Sequence, residues 1–234
     1  SSDVPSATQV ATEIPATENG LVGLWRLNGT VGAIADAASI PAAVGTNGTA
    51  SNADAAGMAY EAGKLNQAIK FDGVDDYVSL GNAGSVKTVE FWLNNANAAD
   101  GVLELIDNAT YISIATSAIT ATGFTTPTIY VNGSSASATL AAGWNHVAVV
   151  TDTAVAAAST RLGEANADYM AGSLDEVAIY NTALSADTIK AHYLNSLYFQ
   201  LAARADTDFT AADYVGPDAT ANTYFTASNT DFSS

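Results

Sequence analysis

Cysteine is absent from all 234 residues, which removes disulfides, thiolate metal ligands and thiol nucleophiles together. Cationic side chains are almost as scarce: seven Lys and Arg face 24 Asp and Glu, a formal net charge of −17. A surface this anionic repels phosphate backbones and anionic lipid headgroups, so the charge argues against nucleic-acid binding and membrane attachment. No run approaches the ~20 apolar residues a membrane helix needs. The start lacks the basic and apolar regions of a signal peptide, and a chain opening on Ser1 is expected to have lost a leader or an initiator Met. Histidine is limited to His146 and His192.

What is present is a succession of short apolar or alternating runs. They are Leu21–Leu27, Ala68–Phe71, Tyr77–Leu80, Thr88–Leu93, Val102–Ile106, Tyr111–Ala115, Thr128–Val131, Trp144–Val150 and Gly172–Tyr180. In Thr88–Leu93 the residues Val89, Phe91 and Leu93 alternate with Thr88, Glu90 and Trp92, the period-2 signature of a strand. Turn pairs punctuate the runs: Asn28-Gly29, Asp72-Gly73 and Asn132-Gly133. Many short strands separated by turn chemistry predict an all-β fold, a two-sheet antiparallel sandwich. A chain of this length buries roughly 70% of its unfolded surface and needs no staple to fold.

One helix is predicted near the end. Ser185 is a suitable N-cap, Leu184 and Ile189 are placed as a hydrophobic staple, and Asp187 falls in the first turn. Ile189 and Tyr193 lie one turn apart on one face. The flanks differ in character. Residues 1–20 are small, polar and interrupted by Pro5 and Pro15, which reads as an extended N-terminal arm. Residues 196–234 carry Tyr198, Phe199, Phe209, Tyr214, Tyr224, Phe225 and Phe232 among Ala, Thr and Asp, which reads as a C-terminal arm that orders on assembly. The domain proper is expected over residues 21–195.

Several segments together resemble the bacterial and phage branch of the laminin-G-like, concanavalin A-like lectin/glucanase superfamily. They are Leu21–Gly29 (LVGLWRLNG), Gly63–Leu80 (GKLNQAIKFDGVDDYVSL), Thr88–Leu93 (TVEFWL), Gly143–Val150 (GWNHVAVV) and Gly172–Leu184 (GSLDEVAIYNTAL), leading into Ser185–Tyr193. The resemblance covers about residues 21–194 and implies a jelly roll. It also implies a structural calcium held between an N-terminal loop and the last strand, with Asp175 as leading ligand and Asp36 and Asn47 as companions. Val31–Met58 departs from the family pattern, which weakens that ligand loop. Asp72, Asp75 and Asp76 form a second acid cluster whose spacing is not that of an EF-hand; a solvated turn accounts for it.

No catalytic set is legible. A glycosidase needs two carboxylates facing across a groove, and the Glu-x-Asp-x-x-Glu run of the superfamily's catalytic branch is missing. Glu104 and Asp107 would point to opposite faces of a regular strand. His146 and His192 lack a neighbouring nucleophile motif and are read as structural. The Asn-x-Ser/Thr matches at Asn28, Asn47, Asn108 and Asn132 are explained largely by Asn-Gly turns.

The expectation is therefore a non-enzymatic surface protein of a virion or extracellular assembly, joined to its neighbours through the terminal arms by strand addition and aromatic anchors. The alternative is a glycan-binding lectin or adhesin, with Tyr60, Tyr169 and Asn166 as available loop groups.

Overall fold

The structure, a computed structural model, describes residues 14–52, 57–95 and 97–203. The described residues form seventeen strands and one helix. In order they are β1 (Leu21–Trp25), β2 (Gly32–Ala33), β3 (Ser39–Ile40), β4 (Gly48–Ser51), β5 (Ala59–Ala62) and β6 (Gln67–Asp72). Then come β7 (Tyr77–Gly81), β8 (Gly84–Asn95), β9 (Asp100–Ile106), β10 (Thr110–Ala115), β11 (Ala118–Thr122) and β12 (Thr128–Val131). The last are β13 (Trp144–Ala157), β14 (Thr160–Leu162), β15 (Glu164–Ala165), β16 (Asp168–Tyr169), β17 (Ala171–Tyr180) and α1 (Ala186–Ala203).

Two antiparallel sheets face each other. One runs β12-β13-β8-β17-β6-β5-β2, with β1 added against β17; the other runs β11-β10-β9-β14-β7-β4-β3. The expected jelly-roll sandwich is what forms. A bulge between Asp175 and Ala178 divides the edge of β17: Ala171–Leu174 pair with β6 and Val177–Tyr180 with β1. Glu176 occupies the bulge at φ +48°, a conformation a side-chain-bearing residue adopts only where the surroundings hold it. Its carboxylate is tied to Arg26 at 2.9 Å.

The alternation in β8 decides the layers. Val89, Phe91 and Leu93 enter the core between the sheets with Phe71, Val147, Val149, Leu174 and Ile179. Thr88, Glu90 and Trp92 face outward, yet are almost wholly buried, because α1 covers that side. The helix begins as its sequence dictates. Ser185 Oγ accepts the Thr188 amide at 3.1 Å, and Ile189 and Tyr193 are buried beneath it. It then runs past Tyr193 to Ala203.

Of the expected N-terminal arm, residues 14–20 are docked on the sandwich. Arg26 Nη2 donates to the Ile14 carbonyl, Tyr180 donates its hydroxyl proton to Glu18 Oε2, and Asn181 N donates to Gly20 O. Residues 196–203 of the expected C-terminal arm continue α1. Residues 1–13 and 204–234, which carry the rest of both arms, lie outside the described residues.

Candidate functional site

On the seven-stranded sheet, one row of paired residues crosses every strand: Thr122, Tyr111, Glu104, Arg161, Ser79, Thr49 and Ser39. At ordinary strand spacing it spans ~29 Å. One residue along, Ile112, Leu103, Leu162, Val78 and Ala50 form the matching inward row, each at most 1% exposed. The period of two thus builds a dry layer on one side and a polar, aromatic layer on the other.

Arg161 organises the outer layer. Its Nη1 donates to both oxygens of Glu164 at 3.1 Å, and lies 3.6 Å from Glu104 Oε2 and 3.5 Å from Asp107 Oδ1. The guanidinium carbon stands 5.3 Å from the ring centroid of Tyr77, a stacked cation–π contact. Burial alone would lower the Arg161 pKa, but Glu164, Asp107 and Glu104 together raise it. The guanidinium is a permanent charge, used to hold three acids in place.

Glu104 is the buried partner, with no exposed surface. Burial raises its pKa, and amide hydrogen bonds from Asn108 and Asn166 work against that rise. Asp107 was expected on the face opposite Glu104. It is found on the same guanidinium, because β9 ends at Ile106 and the chain turns through Asn108 at φ +51°. The turn breaks the alternation and brings Asp107 round.

The hairpin β15–β16 forms a wall on this face. Its two-residue turn, Asn166-Ala167, has φ of +56° and +59°, the left-handed pair of a tight hairpin. It rests on Gly101 of β9, where a Cβ would stand 2.0 Å from the Asp168 carbonyl; only glycine admits the hairpin so closely. Half-buried Tyr169 pairs with Glu164. Its hydroxyl is held above the ordinary value by burial, then by Glu164, Tyr77 and Asp75, with Arg161 opposing. Tyr77, Tyr111 and Tyr169 thus present half-buried rings beside carboxylates and hydroxyls on one broad face.

Of the residues named as candidates from sequence, Tyr169 and Asn166 belong to this wall. Tyr60 does not: it sits in β5 of the other sheet, its ring packed against Gly29. The calcium candidates are placed as follows. Asp175 is fully buried in β17, its Oδ2 accepting the Leu65 amide at 2.8 Å, and its charge opposes the burial that lowers the Lys64 pKa. Asn47 is exposed, its Oδ1 accepting the Ala42 amide and its Nδ2 donating to Ser39 Oγ. Asp36 is exposed in the turn between β2 and β3. Asp175 with an ammonium beside it does not fit a calcium cage, which calls for six to eight oxygen ligands. Asp72, Asp75 and Asp76 do converge, with ligand oxygens within 4.8 Å of one another. Asp72 Oδ1 accepts the Val74 amide, the bonding of a turn.

Arg161, Glu164, Tyr77 and Tyr111 were not singled out from the sequence. The one available signal was rarity: in a chain with seven Lys and Arg, an Arg three residues before a Glu is a marked position.

A second cluster lies on the opposite sheet, beneath α1. His192 Nδ1 is 2.8 Å from Glu90 Oε2, and its Nε2 is 3.0 Å from Glu18 Oε1. His146 packs between Trp92 and Tyr193, with ring centroids 5.2 and 6.2 Å away. Both histidines sit where the helix meets the sheet.

The comparisons with known proteins bear on the fold. The laminin G-like family model described as "Concanavalin A-like lectin/glucanases superfamily" matches residues 118–190. Domain 4 of AbnA, a GH43 extracellular arabinanase from Geobacillus stearothermophilus, in complex with arabinotriose, superposes with a TM-score of 0.50 at 17% identity, covering 74% of this chain and 98% of that one. A sialidase of Trypanosoma rangeli gives a TM-score of 0.50 at 11% identity, covering 79% of this chain and 34% of the sialidase, so the chain spans about a third of that enzyme. No curated protein matches in sequence. The jelly-roll architecture that the resemblance implied is what the described residues form, two antiparallel sheets in a sandwich, and the match to the family model falls on residues 118–190.

Proposed function

We propose that this chain is a non-enzymatic, extracellular glycan-binding module that holds neutral oligosaccharides on the outer face of its seven-stranded sheet. The observation carrying this reading is the polar row from Thr122 to Ser39 flanked by Tyr77, Tyr111 and Tyr169. Sugar rings present apolar C–H faces that pack on aromatic rings, and hydroxyls that bond to hydroxyl side chains; here the tyrosines stand beside Thr122, Ser79 and Thr49. Arg161 is already committed to Glu164, Glu104 and Asp107, so the local charge is negative. That disfavours sialylated or sulfated chains and favours neutral ones.

Binding is preferred to hydrolysis for a geometric reason. The acid with the raised pKa, Glu104, is fully buried, and the nearest second acid, Glu164, chelates the same guanidinium. A general acid must reach the glycosidic oxygen, and Glu104 presents no surface to one. The arabinanase domain holding arabinotriose supports the binding reading and the extracellular location. Assembly through the terminal arms, the first expectation, finds no support among the described residues. No described helix is long and apolar enough to cross a membrane.

The test is an array of neutral and acidic glycans probed with the whole chain, with and without EDTA. Binding to neutral oligosaccharides that survives chelation and is weakened by Tyr111→Ala is expected. Silence across the array, or binding indifferent to Tyr111→Ala and Tyr77→Ala, would remove this face from consideration.

A further inference from the structure

Four Asn-Gly pairs occur in the sequence, at 19–20, 28–29, 47–48 and 132–133. The pairing has a chemistry of its own, because glycine carries no side chain to keep its amide nitrogen from the asparagine Cγ. When the two meet, an N–Cγ bond forms, the Cγ–Nδ2 bond breaks, and ammonia leaves with the amide proton of the glycine. The cyclic imide then takes up water at either carbonyl, giving aspartate or isoaspartate. No oxidant or reductant is consumed. What the step needs is an asparagine side chain free to turn toward the next nitrogen.

In three of the pairs that side chain is held. Asn28 Oδ1 accepts the Gln67 amide at 2.9 Å. Asn47 Oδ1 accepts the Ala42 amide at 3.0 Å, and its Nδ2 donates to Ser39 Oγ at 3.2 Å. Asn132 Oδ1 accepts the His146 amide at 2.9 Å, and its Nδ2 donates to Asn145 Oδ1 at 3.1 Å. Asn19 differs. It is exposed, and its side chain makes no hydrogen bond to any described residue. Leu21 N donates to Glu18 O at 3.2 Å and Gly20 has φ +81°, the arrangement of a type II turn with Asn19 and Gly20 at its centre. That turn uses the Leu21 amide and leaves the Gly20 amide unbonded among the described residues.

Asn19 also stands between two anchors. Before it, Glu18 accepts the Tyr180 hydroxyl at 2.9 Å and lies 3.0 Å from His192 Nε2. After it, Gly20 O accepts the Asn181 amide at 2.8 Å, and a Cβ on Gly20 would run into the Thr182 side chain. An isoaspartate adds one atom to the main chain between these anchors and a negative charge beside Glu18. The tight seat leaves no slack for the extra atom.

We propose that Asn19 is a site of spontaneous conversion to isoaspartate, and that the conversion releases residues 14–20 from the helix and the eight-stranded sheet. Each tether that must break first slows the reaction about tenfold, the rate equivalent of one net hydrogen bond.

The experiment ages the whole chain in mildly alkaline buffer, with and without denaturing urea, and follows each pair by peptide mass spectrometry with fragmentation that distinguishes isoaspartate. In buffer Asn19 should lead the other three by at least about tenfold; in urea, where the tethers are gone, the four rates should draw together. Converted protein, isolated by anion exchange, should show faster hydrogen exchange at the Asn181 amide, whose acceptor is Gly20 O. Asn19→Gln, whose longer side chain closes the ring far more slowly, should keep that amide protected after the same ageing. Equal rates at all four pairs in the folded chain, a lead by Asn28, Asn47 or Asn132, or an Asn181 amide equally protected after conversion would each overturn the inference.

Discussion

Nδ1 of His192 and Oε2 of Glu90 meet at 2.8 Å, joining the middle of the helix to the middle of a sheet strand 102 residues earlier. Glu90 has no exposed surface, and burial raises its pKa. Burial by itself lowers that of His192, but the hydrogen bond and charge of Glu90, then those of Glu18, more than reverse this and leave it above 6.5. A histidine raised on folding contributes stability that is fully present below its unfolded value and lost as pH rises through the folded one. Neighbouring His146 acts in the opposite sense: held near 3, it refuses a proton that the unfolded chain takes up below 6.5, so stability also falls toward acid. Denaturation at a series of pH values should give a maximum with two flanks, coupled because the His192 charge is one cause of the lowered His146 pKa. His192→Phe should flatten the alkaline flank and cost about 3–5 kcal/mol below the His192 pKa, where the pair with Glu90 is charged. His146→Phe should flatten the acid flank.

Arg161 offers a separate test of the tyrosine face. Arg161→Met leaves Glu104 buried without its guanidinium. With the Arg side chain 28% exposed and the contact at 3.6 Å, the loss should be about 2 kcal/mol, less than for a wholly buried pair. Arg161→Lys should recover part of the stability but not the geometry, since an ammonium lacks the planar guanidinium that lies over the Tyr77 ring. Chemical denaturation gives the first number. The affinity of Arg161→Lys for whichever glycan the array identifies gives the second.

Gly101→Ala asks whether the β15–β16 wall matters. The added methyl would meet the Asp168 carbonyl and the Ala165 amide nitrogen, both backbone atoms that cannot swing aside. A cost of about 1–3 kcal/mol is expected, together with lifting of the hairpin from Glu104. Hydrogen exchange at the Asn166 amide should rise sharply. Unchanged protection there would mean that the hairpin is held by something other than its seat on β9.

For the glycan reading itself, Tyr111→Ala and Tyr77→Ala should each weaken binding at least tenfold, about 1.4 kcal/mol, with little change in melting temperature. Both rings stand on the outer layer, so truncation opens no hole between the sheets.

Most of the fold was legible because its rules are local. Val89, Phe91 and Leu93 announce a strand by alternation, and Ser185 announces a helix start; both hold. The clusters were not legible, because they depend on register. Glu104 meets Arg161 across two strands separated by 57 positions, and nothing in either segment fixes which residue will lie opposite which. Glu90 and Trp92 alternate with the core residues of β8, but alternation cannot say that a helix will close over their face and bury them. The docking of residues 14–20 was hidden for the same reason: Glu18 has no local motif, and its partners Tyr180 and His192 lie more than 160 residues away.

The position of β17 has a consequence for how the polypeptide is made. The last strand among the described residues is an interior one, gripped by β8 on one edge and by β6 and β1 on the other. Until Tyr180 has been synthesised, β1 lacks its partner in the eight-stranded sheet, and that sheet remains split along its middle. Loop closure over such a span is slow, and open edges are sticky while it lasts. Nascent chains stopped before Ala171 should therefore stay protease-sensitive throughout, and acquire resistance in a single late step once β17 slots in.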